Sequence, residues 1–305
     1  MKTLSNTTAI MISFMRPEYT MECIKSLRER YPSIKIMVGE NEKFNKELKD
    51  FCVLYNTRYI LMPFDSGVCF ARNRLVELVE TDYILVGDDD FYYTKDAKVD
   101  KMIKFLNSHK DFSLIGGRVF EKNRVLDYQG HINIYEDHFH YVPLEPKDDK
   151  KDRSSGLLYQ KCDITFNFFV ARKQDIKDVK WDEKIKVAYE HSDWFICLKK
   201  AGGRKVAFTP DAIVVHKPEH VIFSTEQKQE YGQFRNRRED MHYFFAKHKV
   251  EYSLGFRGMK TNFDNIKELK NKYYANNMMS FDGKLYNKGD IIHTSKPIEG
   301  MRACY

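Results

Sequence analysis

The sequence predicts an α/β fold on a mostly parallel sheet, and three observations carry that prediction. Short apolar runs alternate with amphipathic stretches from Ala9 to Val86. The most apolar of these runs, Tyr83 to Val86, leads straight into Gly87-Asp88-Asp89-Asp90. The alternation then gives way to β-forming, turn-rich sequence between Ser113 and Val142. Strand–helix alternation at this spacing favours parallel strands covered on both faces. Ligands of such sheets bind beyond the carboxyl ends of the strands, which is where the aspartates fall.

Each element follows from its periodicity. Ala9–Phe14 reads as a strand, and 18–30 as a helix with Met21, Ile24 and Leu27 on one face. Strands at 34–38 and 59–62 bracket a helix at 43–55. Ser66-Gly67 opens a helix that runs to about Val79, with Phe70, Leu75 and Leu78 inward. Residues 96–107 read as helix, and 145–156 (EPKDDKKDRSSG) as a polar loop. A strand at 165–171 precedes a helix at 189–201, which Gly202-Gly203 stops. Two short strands, 206–208 and 212–215, lead to a basic amphipathic helix at 224–248. The expected division is a catalytic domain over 1–220 and a helical extension over 221–305.

Composition bounds the function. Of 305 residues, 42% are hydrophobic and 14% aromatic, ample for a sizeable core, and the net charge is +7. That excess suits an acidic partner such as nucleotide phosphates, an anionic membrane face or an acidic glycan. The six cysteines, Cys23, Cys52, Cys69, Cys162, Cys197 and Cys304, show no CxxC pair or metal-ligand spacing, and read as core residues of a reduced compartment. The apolar run near the N-terminus is too short for a signal peptide or a membrane span. A cytoplasmic protein is expected, with peripheral contact at the inner membrane face open to it.

The aspartates are the sharpest chemical feature. Three adjacent carboxylates repel one another unless a cation joins them, and on extended chain Asp88 and Asp90 share a face. Hard oxygen ligands suit Mg²⁺ or Mn²⁺, which bridges a diphosphate. His216 ends the apolar run AIVV as the aspartates end theirs, and so is a candidate ligand. Glu190-His191-Ser192-Asp193 opens a helix, where the macrodipole favours carboxylates and a general base can sit. Gly67 with Arg72-Asn73 places a glycine at a helix entry and an arginine a turn in, a pattern that attracts anions.

Together these segments resemble inverting glycosyltransferases of the GT-A fold, family 2, and more closely the β-1,4-N-acetylgalactosaminyltransferases of the ganglioside GM2 synthase type. Four blocks carry the likeness in order: ISFMRPEY, GVCFARNRLVELVETDYILVGDDDF, CDITFNFFVARKQDIKDVKWDEKIKVAYEHSDWF and DAIVVHKPEH. They cover residues 8–220. The resemblance implies that Ser13, Phe14 and Arg16 border the nucleotide and that Glu40 lies near the uridine. It implies that Asp65, Gly67, Arg72 and Asn73 complete the base and ribose pocket. Asp88 and Asp90 would be the DxD pair, His216 a further metal ligand, and Asp89 a donor-sugar contact. Where many family members read Glu-Asp-x-Asp, this chain reads Glu-His-Ser-Asp at 190–193, so the usual base position holds a histidine. Asp193 is ranked ahead of Glu190 as base, with His191 third, and Trp194 is either a sugar-stacking ring or core.

The expected activity is single-displacement transfer from a UDP-sugar, GalNAc or another hexose or HexNAc, to a hydroxyl of a glycan or glycolipid, giving a β-glycoside. Two other classes compete. A sugar-1-phosphate nucleotidyltransferase would need a glycine-rich loop after the first strand, and ISFMRPEY has no glycine. A non-enzymatic module binding nucleic acid or a membrane surface would leave the aspartates unexplained, since they repel phosphate.

Overall fold

The computed structural model describes residues 2–121, 124–126, 128–217, 224–235 and 237–256, with the backbone alone at 260–261, 278–281 and 284–287. The strands that matter are β1 (Thr7–Ser13), β2 (Lys35–Glu40), β3 (Arg58–Leu61), β4 (Tyr83–Val86), β5 (Phe91–Tyr92), β6 (Phe112–Glu121), β7 (Arg124–Leu126), β8 (Gly130–Ile134), β9 (His138–Pro143), β10 (Lys150–Lys151), β11 (Leu158–Cys162), β12 (Phe169–Arg172), β13 (Lys205–His216) and β14 (Tyr252–Leu254). The helices are α1 (Lys2–Ser5), α2 (Pro17–Arg30), α3 (Lys46–Leu54), α4 (Val68–Leu78), α5 (Val99–Ser108), α6 (Lys173–Ile176), α7 (Glu190–Ala201), α8 (Thr225–Arg235) and α9 (Arg238–His248).

One large sheet runs β10-β11-β13-β6-β12-β4-β1-β2-β3. β3, β2, β1 and β4 are mutually parallel. β12 inserts antiparallel between β4 and β6, and β13 then runs parallel to β6. Residue alternation sends successive side chains to opposite faces. Ala9 and Met11 pack against α2, α3 and α5, while Ile10 packs on the other face with α4, α7 and α9. Tyr83 and Leu85 divide from Ile84 and Val86 in the same way. This is the predicted α/β architecture, with the mostly parallel sheet of a GT-A fold flanked by helices.

Three details differ from the sequence reading. The two short strands expected at 206–208 and 212–215 form one strand, β13, with a register shift between Phe208 and Ile213. Pro210 in that interval has no N–H for the ladder, so the chain bulges there and resumes pairing. The single helix expected over 224–248 is two helices. Arg237, between them, has extended backbone and directs its guanidinium to both Asp65 carboxylate oxygens at 2.6 Å. The polar loop at 145–156 is partly built into the sheet, as β10 pairs with β11. Cys23, Cys52, Cys69 and Cys162 are buried free thiols, as expected of core cysteines. Cys304 lies outside the described residues. Among those residues, no helix is long and apolar enough to cross a membrane.

Candidate active site

The carboxyl ends of β1, β2 and β4 open onto a cavity of about 530 Å³, closed on its far side by α7 and α8. Gly87 leads into the acidic turn because a side chain there would meet the Tyr93 hydroxyl at 2.5 Å. Beyond the turn, β5 pairs antiparallel with the end of β13, placing His216 opposite Phe91. That pairing sets His216 Nε2 3.1 Å from Asp90 Oδ2.

The three aspartates have three different settings. Asp88 is about one-third exposed to the cavity, and its Oδ1 accepts from Arg72 at 3.2 Å. Asp89 is buried; it pairs with the Arg16 guanidinium and accepts from the Thr20 hydroxyl at 3.3 Å. Asp90 accepts from Arg16 at 2.8 Å, and its Oδ1 is buried with no hydrogen-bond partner. Burial lifts Asp88 and Asp89 above the usual carboxylate range, and each neighbouring carboxylate adds to the lift. Burial acts on Asp90 too, but the hydrogen bond from His216 and the charge of Arg16 outweigh it and hold Asp90 low. An orphaned buried carboxylate oxygen beside a second carboxylate and an imidazole is a set that a hard divalent cation satisfies. Asp88, Asp90 and His216 supply donors of that kind, although among the described residues the group whose ligand atoms already converge is Asp193, Cys197 and His248.

At the base of α7, Tyr189 takes a left-handed conformation (φ 67°) and turns the chain so that Glu190 and His191 both face the cavity. Glu190 Oε1 accepts from Arg72 at 2.9 Å, and Oε2 accepts the His191 backbone N–H at 2.6 Å. Burial would raise Glu190, but Arg72 and His191 together hold it below its usual value. His191 Nδ1 lies 2.6 Å from Asn167 Oδ1, and the Asn167 amide nitrogen approaches Glu190 at 3.5 Å. A carboxylate only accepts, so Asn167 must turn its NH₂ to Glu190 and its carbonyl to His191. His191 then donates from Nδ1; Nε2 is a buried nitrogen with no hydrogen-bond partner, and a backbone interaction with Thr165 favours the charged ring. Burial pushes this imidazole down to about 4, against the pull of Glu190.

Phe14, Arg16, Asp65, Gly67, Arg72, Asp88, Asp89, Asp90, Glu190, His191 and His216 all line the cavity. Ser13, Glu40, Asn73 and Asp193 do not. Ser13 and Glu40 sit side by side in the β1–β2 ladder, buried; burial pushes Glu40 up to about 8. Asn73 faces the core, its amide donating to Trp181 O at 2.9 Å and its carbonyl accepting from Trp181 N at 3.0 Å. Asp193 is 1% exposed and bonds Lys247 and His248 of α9, each at 2.8 Å. Trp194 is core, stacked at 4.5 Å on Trp181. Gly67 is at φ 93°, where a Cβ would lie 2.8 Å from the Lys186 backbone, so only glycine opens α4 there.

Sequence reasoning missed several cavity residues. Asn41 follows β2 and binds the Ser66 N–H at 3.1 Å, shaping the turn before Gly67. Tyr128, Phe166 and Asn167 come from connections with no motif of their own. Tyr231, Phe234 and Arg235 come from α8, and the spacing of 231 and 234–235 on one helical face was the available signal.

A mostly parallel sheet with an acidic cluster at the end of its fourth strand is the arrangement expected of a GT-A glycosyltransferase. Residues 8–180 match the family model described as glycosyl transferase family 2, and the chain belongs to that family. It is 27% identical over 220 residues to β-1,4 N-acetylgalactosaminyltransferase 2 of Mus musculus, covering 67% of this chain and 38% of that protein. Against β-1,4 N-acetylgalactosaminyltransferase 1 of Rattus norvegicus the identity is 26%, covering 67% and 37%. The chain thus spans well under half the length of these relatives. In fold it is similar to S. aureus TarS, with a TM-score of 0.51 at 12% identity, over 79% of this chain and 39% of that one. Membership in that family favours the glycosyltransferase reading over the nucleotidyltransferase and non-enzymatic ones.

Proposed function

We propose that the protein transfers a sugar from a UDP-sugar to a glycan hydroxyl, with inversion, and that it depends on a divalent cation. The observation that carries this is the buried, unpartnered Asp90 Oδ1 beside Asp88 and His216 at the strand ends. Mn²⁺ or Mg²⁺ held by these three residues would neutralise the diphosphate leaving group. N-acetylgalactosamine is favoured as the sugar by the names of the relatives.

The chain's own residues divide the remaining work. Phe14, Tyr231 and Phe234 form an aromatic wall, Phe14 and Phe234 meeting edge-on at 5.3 Å, suited to the nucleotide base. Arg16, beside Asp89 and Asp90, and Arg235, stacked on Tyr231, bring positive charge to the diphosphate. Asp65 joins the nucleotide wall through Arg237 and Lys186. His191 Nε2 takes the proton of the attacking hydroxyl. Asn167 fixes the tautomer that leaves that nitrogen free, and Glu190 stabilises the imidazolium formed. Asp193, spent on α9, is not the base in this reading. One base and no enzyme nucleophile is the requirement of a single displacement, so an α-linked donor gives a β-glycoside.

The test is UDP release from a panel of UDP-sugars with and without Mn²⁺. Release should require the cation, and Asp90→Ala should abolish release. Full activity of that variant, or equal release in chelator, would end the proposal.

A further inference from the structure

The cavity has two aromatic walls, and the reading above uses only one. The second is formed by Tyr128 and Phe166, both half-buried, with ring centroids 5.7 Å apart at 69°. Both flank His191: its ring lies 5.0 Å from Tyr128 and 6.5 Å from Phe166. Leu126 extends this wall along the cavity. The first wall stands at the end of β1 beside Arg16, and its rings pack on one another and on Phe64. The acidic turn and Arg72 lie on the cavity lining as well, joining Asp88 to Glu190.

We infer that Tyr128 and Phe166 are the binding platform for the acceptor, and that the acceptor presents a pyranose ring. This rests on the proposed transfer reaction. An attacking hydroxyl must lie within hydrogen-bond reach of the base, so the group carrying it occupies the space around His191. The walls there are aromatic rings and a leucine. The polar atoms nearby are already engaged: the Tyr128 hydroxyl is 2.8 Å from Ser192 Oγ, and the Asn167 amide spans His191 and Glu190. Such a surface offers little to a peptide backbone or a phosphate-rich polyol. It suits a sugar, whose C–H face packs on an aromatic ring while its hydroxyl rim stays wet or meets the base. The Tyr128–Ser192 bond anchors the platform to α7, the helix that carries His191, so base and acceptor are held by one element.

The test uses the full chain loaded with Mn²⁺ and UDP, with methyl β-D-galactopyranoside and methyl N-acetyl-β-D-glucosaminide as probes, and glycerol and N-acetylserine amide as non-pyranose controls. Saturation-transfer NMR should show ring C–H protons of a pyranoside in contact with the protein, and neither control bound. Tyr128→Ala and Phe166→Leu should each weaken pyranoside binding by about tenfold, while both bind UDP as the parent does. Phe166→Leu keeps the apolar character and most of the bulk at a half-buried position, so with UDP binding intact its loss reads the ring and not a failure to fold. Pyranosides that do not bind, that bind equally to Phe166→Leu and the parent, or that bind no better than the controls would overturn the inference. Loss of Mn²⁺-dependent UDP binding in the parent would instead strike the proposed function.

Discussion

His191 stands where the resemblance leads one to expect an aspartate, and its surroundings compensate for the change of residue. A carboxylate is a base at neutral pH without help, whereas an imidazole must be kept neutral and in one tautomer. Burial does the first, holding the ring near 4. Asn167 does the second. The base form is therefore present at any pH above that value. If His191 is the base, turnover attributable to it stays level between pH 8 and 6 and falls only as pH drops toward 4. His191→Ala should lower kcat by about 10²–10⁴ with donor binding nearly unchanged, read from steady-state kinetics against UDP affinity. A residual rate close to the parent's would return the role to Glu190. None of this was legible from the four letters EHSD. On a helix, positions 190 and 193 share a face and 191 points away from it. Which of them meets the cavity depends on the left-handed turn at Tyr189 and on what packs behind.

What packs behind is α9, and at the scale of elements it decides the fate of Asp193. Asp193, on α7, is enclosed with Lys247 and His248, and Lys247 also reaches Asp182 at 2.9 Å. Asp240, at the start of α9, accepts the backbone N–H groups of Val187 and Ala188 at 2.8 and 2.9 Å, fixing the chain that enters α7. The carboxylate that looked like a base is thus the anchor of a helix–helix contact. Removing one partner of a buried ion pair leaves the other charge uncompensated, at a cost of about 3–5 kcal/mol. Asp193→Asn should accordingly lower Tm by roughly 10 °C, measured by calorimetry. The protein still folded below that transition should bind UDP normally. A variant with unchanged Tm would mean the contact is not maintained in solution. The sequence did show the elements involved, because 3.6-residue periodicity and the Gly202-Gly203 stop are local signals. It showed 224–248 as one helix because nothing local announces Arg237 leaving the axis for Asp65, a residue far away in the chain.

At the scale of the whole molecule, the expected boundary at residue 220 divides the cavity from the wall that α8 supplies. Tyr231, Phe234 and Arg235 line it from α8, β14 pairs in parallel with β9, and Phe244 is fully buried against Phe139 and Tyr189. We predict that a chain ending at residue 220 unfolds at a lower temperature than even Asp193→Asn and binds UDP poorly. Phe244 alone contributes about 1.5–3 kcal/mol by its burial. A truncated chain that melts with the parent and binds UDP equally would support the two-part division. The charges of this segment belong to the same account. From 225 to 248 the sequence carries Lys228, Arg235, Arg237, Arg238 and Lys247 against Glu226, Glu230, Glu239 and Asp240 in number, and Arg237 and Lys247 are turned inward to carboxylates. The stretch presents less free positive charge than its lysines and arginines suggest.

The sequence by itself determined the α/β class, the order of the elements from β1 to β4, and the acidic turn at 87–90. Those depend on periodicity and on residue types that are neighbours along the chain. The tertiary structure decided which carboxylates face the cavity, that Asn73 and Asp193 serve packing, and that Asn41, Tyr128, Phe166 and the α8 residues join the site. Each of those outcomes is a contact between distant segments, fixed by which faces must be buried together, and no local pattern encodes it.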